Sequence, residues 1–173
     1  DQRAHQIRIM SDPKKLICLI SRGCHDRTQS SNQEKALFWF EAAIELGDYE
    51  SNNRVFWLLY ETGDWNIALK KINTFMQSGD FFYSSIDQKL DTLLVLSTLK
   101  GRVGDNQGSI KVLNTMFELV EKNDFTDDTF EVDMRTNLAV QLIENQQFDQ
   151  AETNLNKIME KAKFPWDIAN NLG

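Results

Sequence analysis

The chain has 173 residues, 26% charged and 41% hydrophobic, with two Pro, eight Gly and a net charge of −7. That composition excludes disordered, collagen-like and disulfide-stapled classes, and no run approaches the ~18 consecutive apolar residues of a membrane span. The lysines and arginines are dispersed among acids, with Lys14-Lys15 and Lys70-Lys71 as isolated pairs, so direct nucleic-acid binding, which needs clustered cations for counterion release, is not expected.

A chain of this length holds one domain or a short array of stacked units. Its only cysteines, Cys18 and Cys24, would lie almost two turns apart on one helix, too far for an ordinary disulfide. Reduced thiols are expected, in keeping with a cytoplasmic protein. Together with His25 these cysteines lack a fourth ligand and the C-x2-4-C spacing, so neither a metal nor any other cofactor is expected. His5 stands alone. The first residue is Asp1 and a new apolar pattern opens at Trp166. Both ends read as cuts, and targeting segments are not judged from them.

Taken in order, Ala4, Ile7 and Met10 have the spacing of a last helical turn. Ser11-Asp12-Pro13 then gives an N-cap and a Pro at the first helical position, ahead of an apolar face of Leu16, Ile17, Leu19 and Ile20 that ends near Gly23. After a polar loop, Ala36, Leu37, Phe40, Ala43, Ile44 and Leu46 form a wide stripe closed by Gly47. Val55, Leu58, Leu59 and Glu61 run into Thr62-Gly63, where Gly supplies the left-handed stop. Asp64 is expected to cap the next helix with its carboxylate, and Trp65, Ala68, Leu69, Ile72, Phe75 and Met76 form that helix's stripe.

The segment Phe81 to Ser85 holds candidate caps for a long helix on Ile86, Leu90, Leu93, Leu94, Val95, Leu96 and Leu99, which stops near Gly101 to Gly104. Asp105 or Gln107 opens the next, with Ile110, Leu113, Met116, Phe117 and Val120 buried. Thr126-Asp127-Asp128 starts another, carrying Phe130, Met134, Leu138, Ala139, Leu142 and Ile143 and ending at Asn145. Phe148, Ala151, Leu155, Ile158 and Met159 define the last full helix, which Pro165 terminates. No strand-like alternation occurs. The reading is all-α, a single helical-repeat domain over 1–173 with units at about 12–47, 49–79, 84–123 and 126–164 and the start of a further helix at 165–173.

The second helices share one grammar. A small residue occurs early in each, at Ala36, Ala68, Ser109 and Ala151, with steps of 32, 41 and 42 residues. Bulky residues follow four later (Phe40, Ile72, Leu113, Leu155) and seven later (Ala43, Phe75, Met116, Ile158). A small side chain lets two helices approach, and the later ones fill the groove between them. Such a period in a helix-turn-helix unit signals an α-solenoid.

Here the chain resembles the tetratricopeptide-repeat family, whose unit is a helix pair of about 34 residues. The resemblance is carried by Tyr60, Gly63-Asp64-Trp65, Ala68 and Ile72, by Gly104-Asp105, Ser109 and Leu113, and by Phe148, Ala151 and Leu155. The first unit, EKALFWFEAAIELGD, is similar to Sel-type repeats, and the longer central steps are similar to those of kinesin light chains. The resemblance implies a right-handed superhelix whose concave face is lined by first helices. That register places Asn53, Trp57, Tyr60 and Glu61, then Leu94, Thr98 and Arg102, then Thr136, Asn137, Val140 and Glu144 on the face. The function it implies is a non-enzymatic scaffold that binds a peptide or helix of a partner protein. The alternatives are the peptide-sensing domain of a transcriptional regulator and the non-catalytic scaffold of a larger enzyme. Asp127-Asp128 reads as a capping pair rather than an acid/base pair, and the acidic stretch Phe117 to Asp133 as a capped loop or a surface that steers a basic partner.

Overall fold

The computed structural model describes residues 30–161, and within them all regular structure is helical. The eight helices are α1 (Ser30–Glu45), α2 (Ser51–Thr62), α3 (Trp65–Met76), α4 (Gly79–Tyr83), α5 (Ile86–Arg102), α6 (Asn106–Lys122), α7 (Asp128–Glu144) and α8 (Phe148–Lys161). The helix expected from Pro13, the thiols Cys18 and Cys24, both histidines and the pattern at Trp166 lie outside the described residues. By its contacts the chain divides into two compact units, Asp1–Tyr83 and Ser84–Gly173. In the first, α1 packs on α2, α2 on α3 and α3 on α4. In the second, α5 packs on α6, α6 on α7 and α7 on α8, and α5 also meets α7.

Reversal of the chain is achieved five times by the same device. Gly47, Gly63, Gly104, Asp124 and Gln146 have positive φ (91°, 86°, 84°, 48° and 60°). The next residue in each case donates its N–H to the carbonyl five back: Asp48 to Ala43 (2.9 Å), Asp64 to Leu59 (2.9 Å), Asp105 to Lys100 (2.8 Å), Phe125 to Val120 (3.1 Å) and Gln147 to Leu142 (2.8 Å). This closure satisfies carbonyls that a helix end would otherwise leave orphaned. The helix expected to end at Asn145 has that residue as its C-cap, and the left-handed turn that closes it falls on Gln146.

Helix starts vary more. Ser85 and Gln88 form a reciprocal capping box on α5. Asp105 accepts from the Gly108 N–H (2.9 Å), and Asp127 from that of Phe130 (3.0 Å). A β carbon at Gly108 would collide with the Asp105 carboxylate. Asp64 departs from expectation: it makes no side-chain cap bond, and its Oδ2 accepts instead from the Thr62 hydroxyl (3.0 Å). The short α4 is an addition to the sequence reading. Ser78 organises it, donating Oγ–H to the Phe75 carbonyl (2.6 Å) and accepting from the Phe81 N–H (3.3 Å).

The core follows the small-residue grammar. Ala68, Ser109 and Ala151 are buried, as are Phe40, Ile72 and Leu113 four later and Ala43, Phe75, Met116 and Ile158 seven later. Ser109 sits close enough to α5 for its Oγ–H to reach the Ser97 carbonyl at 2.7 Å. The stripes fail at their ends: Leu46, Ile143, Phe148 and Met159 are exposed, each within two residues of a helix terminus, beyond the turn that would cover it.

The turn geometry generates a paired expectation. Nothing lies within 4 Å of a β carbon at Gly63, so Gly63→Ala should cost only the left-handed backbone term, about 1 kcal/mol. Gln146→Gly should relieve the same term and raise stability by up to about 1 kcal/mol. Urea midpoints of the two variants should move in opposite directions, and movement in one direction would contradict the assignment.

Candidate functional site

The residues expected on the binding face fall into stripes with one spacing. On α2, Asn53, Trp57, Tyr60 and Glu61 stand at positions 0, 4, 7 and 8 of a helical face. Glu61 is exposed and the other three are partly buried. The Trp57 and Tyr60 rings meet edge-on, 5.7 Å between centroids at 90°. The Trp65 Nε1–H donates to the Tyr60 carbonyl (3.1 Å), tying the start of α3 to the end of α2.

On α5 the same spacing gives Leu94, Thr98, Gly101 and Arg102, and on α7 Thr136, Val140, Ile143 and Glu144, with Asn137 beside Thr136. Leu94, Thr98, Thr136, Asn137 and Val140 are partly buried and Arg102 is exposed. The Thr98 hydroxyl donates to the Leu94 carbonyl (2.9 Å) and that of Thr136 to the Val132 carbonyl (2.8 Å). Both are thereby turned to their own helices, a role that local back-bonding by Thr explains. Ile143, 40% exposed, extends the α7 stripe; its place seven after Thr136 matches that of Tyr60 after Asn53.

Gly101 matches Tyr60 in the same way, and it changes the surface. A β carbon there would stand 2.6 to 2.9 Å from the amide end of Gln141 on α7. The missing side chain therefore lets two first helices approach, and Gln141 fills the space. Its Oε1 is buried without a hydrogen-bond partner, which costs part of the desolvation energy of that carbonyl. Within the second unit the α5 and α7 stripes are thus neighbours, while the α2 stripe belongs to the first unit.

The first unit has a further concavity that the sequence reading did not anticipate. Between α1 and α3 runs an open groove of about 720 Å³, floored by Val55, Phe56 and Phe75 and walled by Ile44 and Ile67. Lys71 Nζ meets Glu41 Oε1 across it at 2.9 Å. Only the comparison of repeat positions, with Asn52 at the place of a larger residue, would have pointed to it.

Three carboxyl groups on these helices and turns depart from their ordinary range. The hydrogen bond from Lys100 (2.6 Å), then that from the Gly108 N–H, holds the Asp105 carboxyl below its ordinary range. This stabilisation is present above the ordinary value and is lost as pH falls through the folded one. Burial, then repulsion from Asp87 and Asp127 respectively, pushes Asp91 and Asp133 up. Asp127 is engaged in the α7 cap, as its position suggests. Among the described residues no three His, Cys, Asp or Glu gather to hold a metal, and no helix is long and apolar enough to cross a membrane. Compared with family models and with curated proteins, the sequence finds no match.

The contact between α5 and α7 is open to a double-mutant cycle. Gly101→Ala gains helix propensity but displaces Gln141, so it should stabilise more in a Gln141→Ala background than in the parent. A coupling of at least about 0.5 kcal/mol is expected from denaturant midpoints; additivity would place Gln141 elsewhere.

Proposed function

We propose that the chain is a tetratricopeptide-like α-solenoid without catalytic activity of its own, acting as a scaffold that binds a peptide or helix of a partner protein on the face of its first helices. The observation that supports this reading most is the direct packing of α5 on α7. Consecutive first helices are neighbours there although α6 intervenes in sequence, which is how a solenoid builds a continuous ligand face. Leu94, Val140 and Ile143 supply apolar area on these stripes, and Arg102 and Asn137 supply groups able to bond a peptide backbone or a carboxylate. In the first unit, Trp57 and Tyr60 give the corresponding stripe an aromatic pair, with Asn53 and Glu61 flanking it.

The test starts from a partner captured by pull-down with the intact chain and identified, whose affinity is then measured for single variants. Ile143→Asp should weaken it about tenfold or more, Arg102→Ala and Asn137→Ala by smaller factors, and Lys157→Ala on α8 should not change it. Circular dichroism should show each variant as helical as the parent. Loss of binding in Lys157→Ala with the other three unchanged would remove the first-helix face from the account.

A further inference from the structure

The boundary between the two compact units falls on one peptide bond, Tyr83–Ser84. Each unit has buried side chains of its own, among them Val55, Phe56 and Ile72 in the first and Leu99, Met134 and Ile158 in the second. The backbone changes at the same bond: α4 ends at Tyr83, and Ser85, two residues on, is extended (φ −61°, ψ 162°). The capping box of α5 is made by Ser85 and Gln88. A break before Ser84 therefore leaves α5 its cap.

The helix on the near side of the bond is weak. α4 has five residues and none of them is buried, and a helix this short is marginal without outside support. Its support includes the two bonds of the Ser78 hydroxyl and the edge-on contact of Phe81 with Phe75, 5.6 Å between centroids. The last two side chains lie outside the core. Phe82 is 71% and Tyr83 85% exposed, the highest values of any large hydrophobic side chain among the described residues, and their rings meet edge-on at 5.0 Å. Other exposed aromatics sit on firmer backbone. Phe38 lies inside the 16-residue α1, Phe148 opens the 14-residue α8, which packs on α7, and the Tyr49 carbonyl accepts from both the backbone N–H (3.1 Å) and the side-chain amide (3.0 Å) of Asn52.

We infer that α4 is a processing site, at which an endoprotease with a pocket for an aromatic side chain hydrolyses the Tyr83–Ser84 bond and divides the chain into its two units, each still folded. Water adds across the bond, its hydroxyl going to the Tyr83 carbonyl carbon and its proton to the Ser84 nitrogen. A protease binds its substrate extended, so cleavage follows local opening of the backbone, and of the exposed aromatic segments α4 opens at least cost. One product carries the Trp57 and Tyr60 stripe of α2, the other the stripes of α5 and α7. Neither the bond nor its cleavage involves a side chain of the first-helix face, so failure of one reading leaves the other standing.

The probe is limited digestion of the whole chain with chymotrypsin, followed by intact-mass spectrometry and circular dichroism. The first cut should fall after Tyr83 and leave the helical signal intact. Replacing both exposed rings, Phe82→Ser with Tyr83→Ser, should slow the first cut about tenfold or more without loss of helix. Two further variants change the opening of α4 and leave the aromatic sequence alone. Gly79→Ala meets nothing within 4 Å of its β carbon and favours the helix, so the cut should slow about twofold or more. Ser78→Ala removes both hydroxyl bonds and should quicken it about threefold or more. A first cut at Tyr49, Phe125 or Phe148, collapse of the helical signal with the first cut, or a rate unmoved by both Gly79→Ala and Ser78→Ala would overturn the inference.

Discussion

Among the described residues, five reversals of chain direction depend on one residue adopting positive φ and on the N–H after it reaching the carbonyl five positions back. The demand is local and severe, because a β carbon in that conformation costs about 1–2 kcal/mol. Gly meets it at three of the five sites, and Asp124 and Gln146 meet it at a cost. The turn is short, so the small residue of the following helix arrives opposite its partner after about one further turn. Ala68 follows Gly63 by five positions, Ser109 follows Gly104 by five and Ala151 follows Gln146 by five. That constancy couples the conformation of one residue to the packing of a whole helix pair.

Packing then sets what each face can do. Where the small residue is Ser109, the helices are close enough for a buried hydroxyl-to-carbonyl bond to Ser97. With their core stripes consumed by this pairing, the first helices retain the positions 0, 4, 7 and 8 for another surface. Gly101 at one of them brings α5 against α7, whereas Tyr60 at the equivalent place makes a ring contact with Trp57. One repeat position therefore serves close helix approach in one unit and aromatic surface in the other. Position 52 shows the same variation: Asn52 lines the α1/α3 groove, whereas its counterpart 83 residues on, Arg135, pairs with Glu131 and Asn154.

The helices and their core were legible in the sequence because two signals coincide, apolar spacing of 3.6 and Gly at the end of the run. Where one signal is missing the reading slips. No Gly marks the end of α7: its C-cap is Asn145, as the sequence suggests, but nothing in the sequence marks the left-handed residue that follows at Gln146. The segment Gly79–Tyr83 is too short to show a periodicity, and its helix rests on the Ser78 hydroxyl. Asp64 carries the expected cap residue type, yet its carboxylate accepts from the Thr62 hydroxyl and makes no cap bond, which no spacing rule reveals. The candidate face was legible as positions but not as chemistry: the hydroxyls of Thr98 and Thr136 bond their own helices, and the proximity of Gly101 to Gln141 is a tertiary fact. The groove between α1 and α3 is a product of tertiary packing, lined by residues of three helices that no local spacing brings together.

The helix returns require the five turns to be closed in solution, and native-state hydrogen exchange measures that closure residue by residue. The amides of Asp48, Asp64, Asp105, Phe125 and Gln147 are the donors that close them. All five should exchange as slowly as amides in the final turns of the helices that precede them, with protection rising or falling in step with those helices as denaturant is added. Exchange at the rate of an unstructured peptide at these amides, beside protected helix interiors, would contradict the claim that the left-handed turns fix how each helix returns on the one before it.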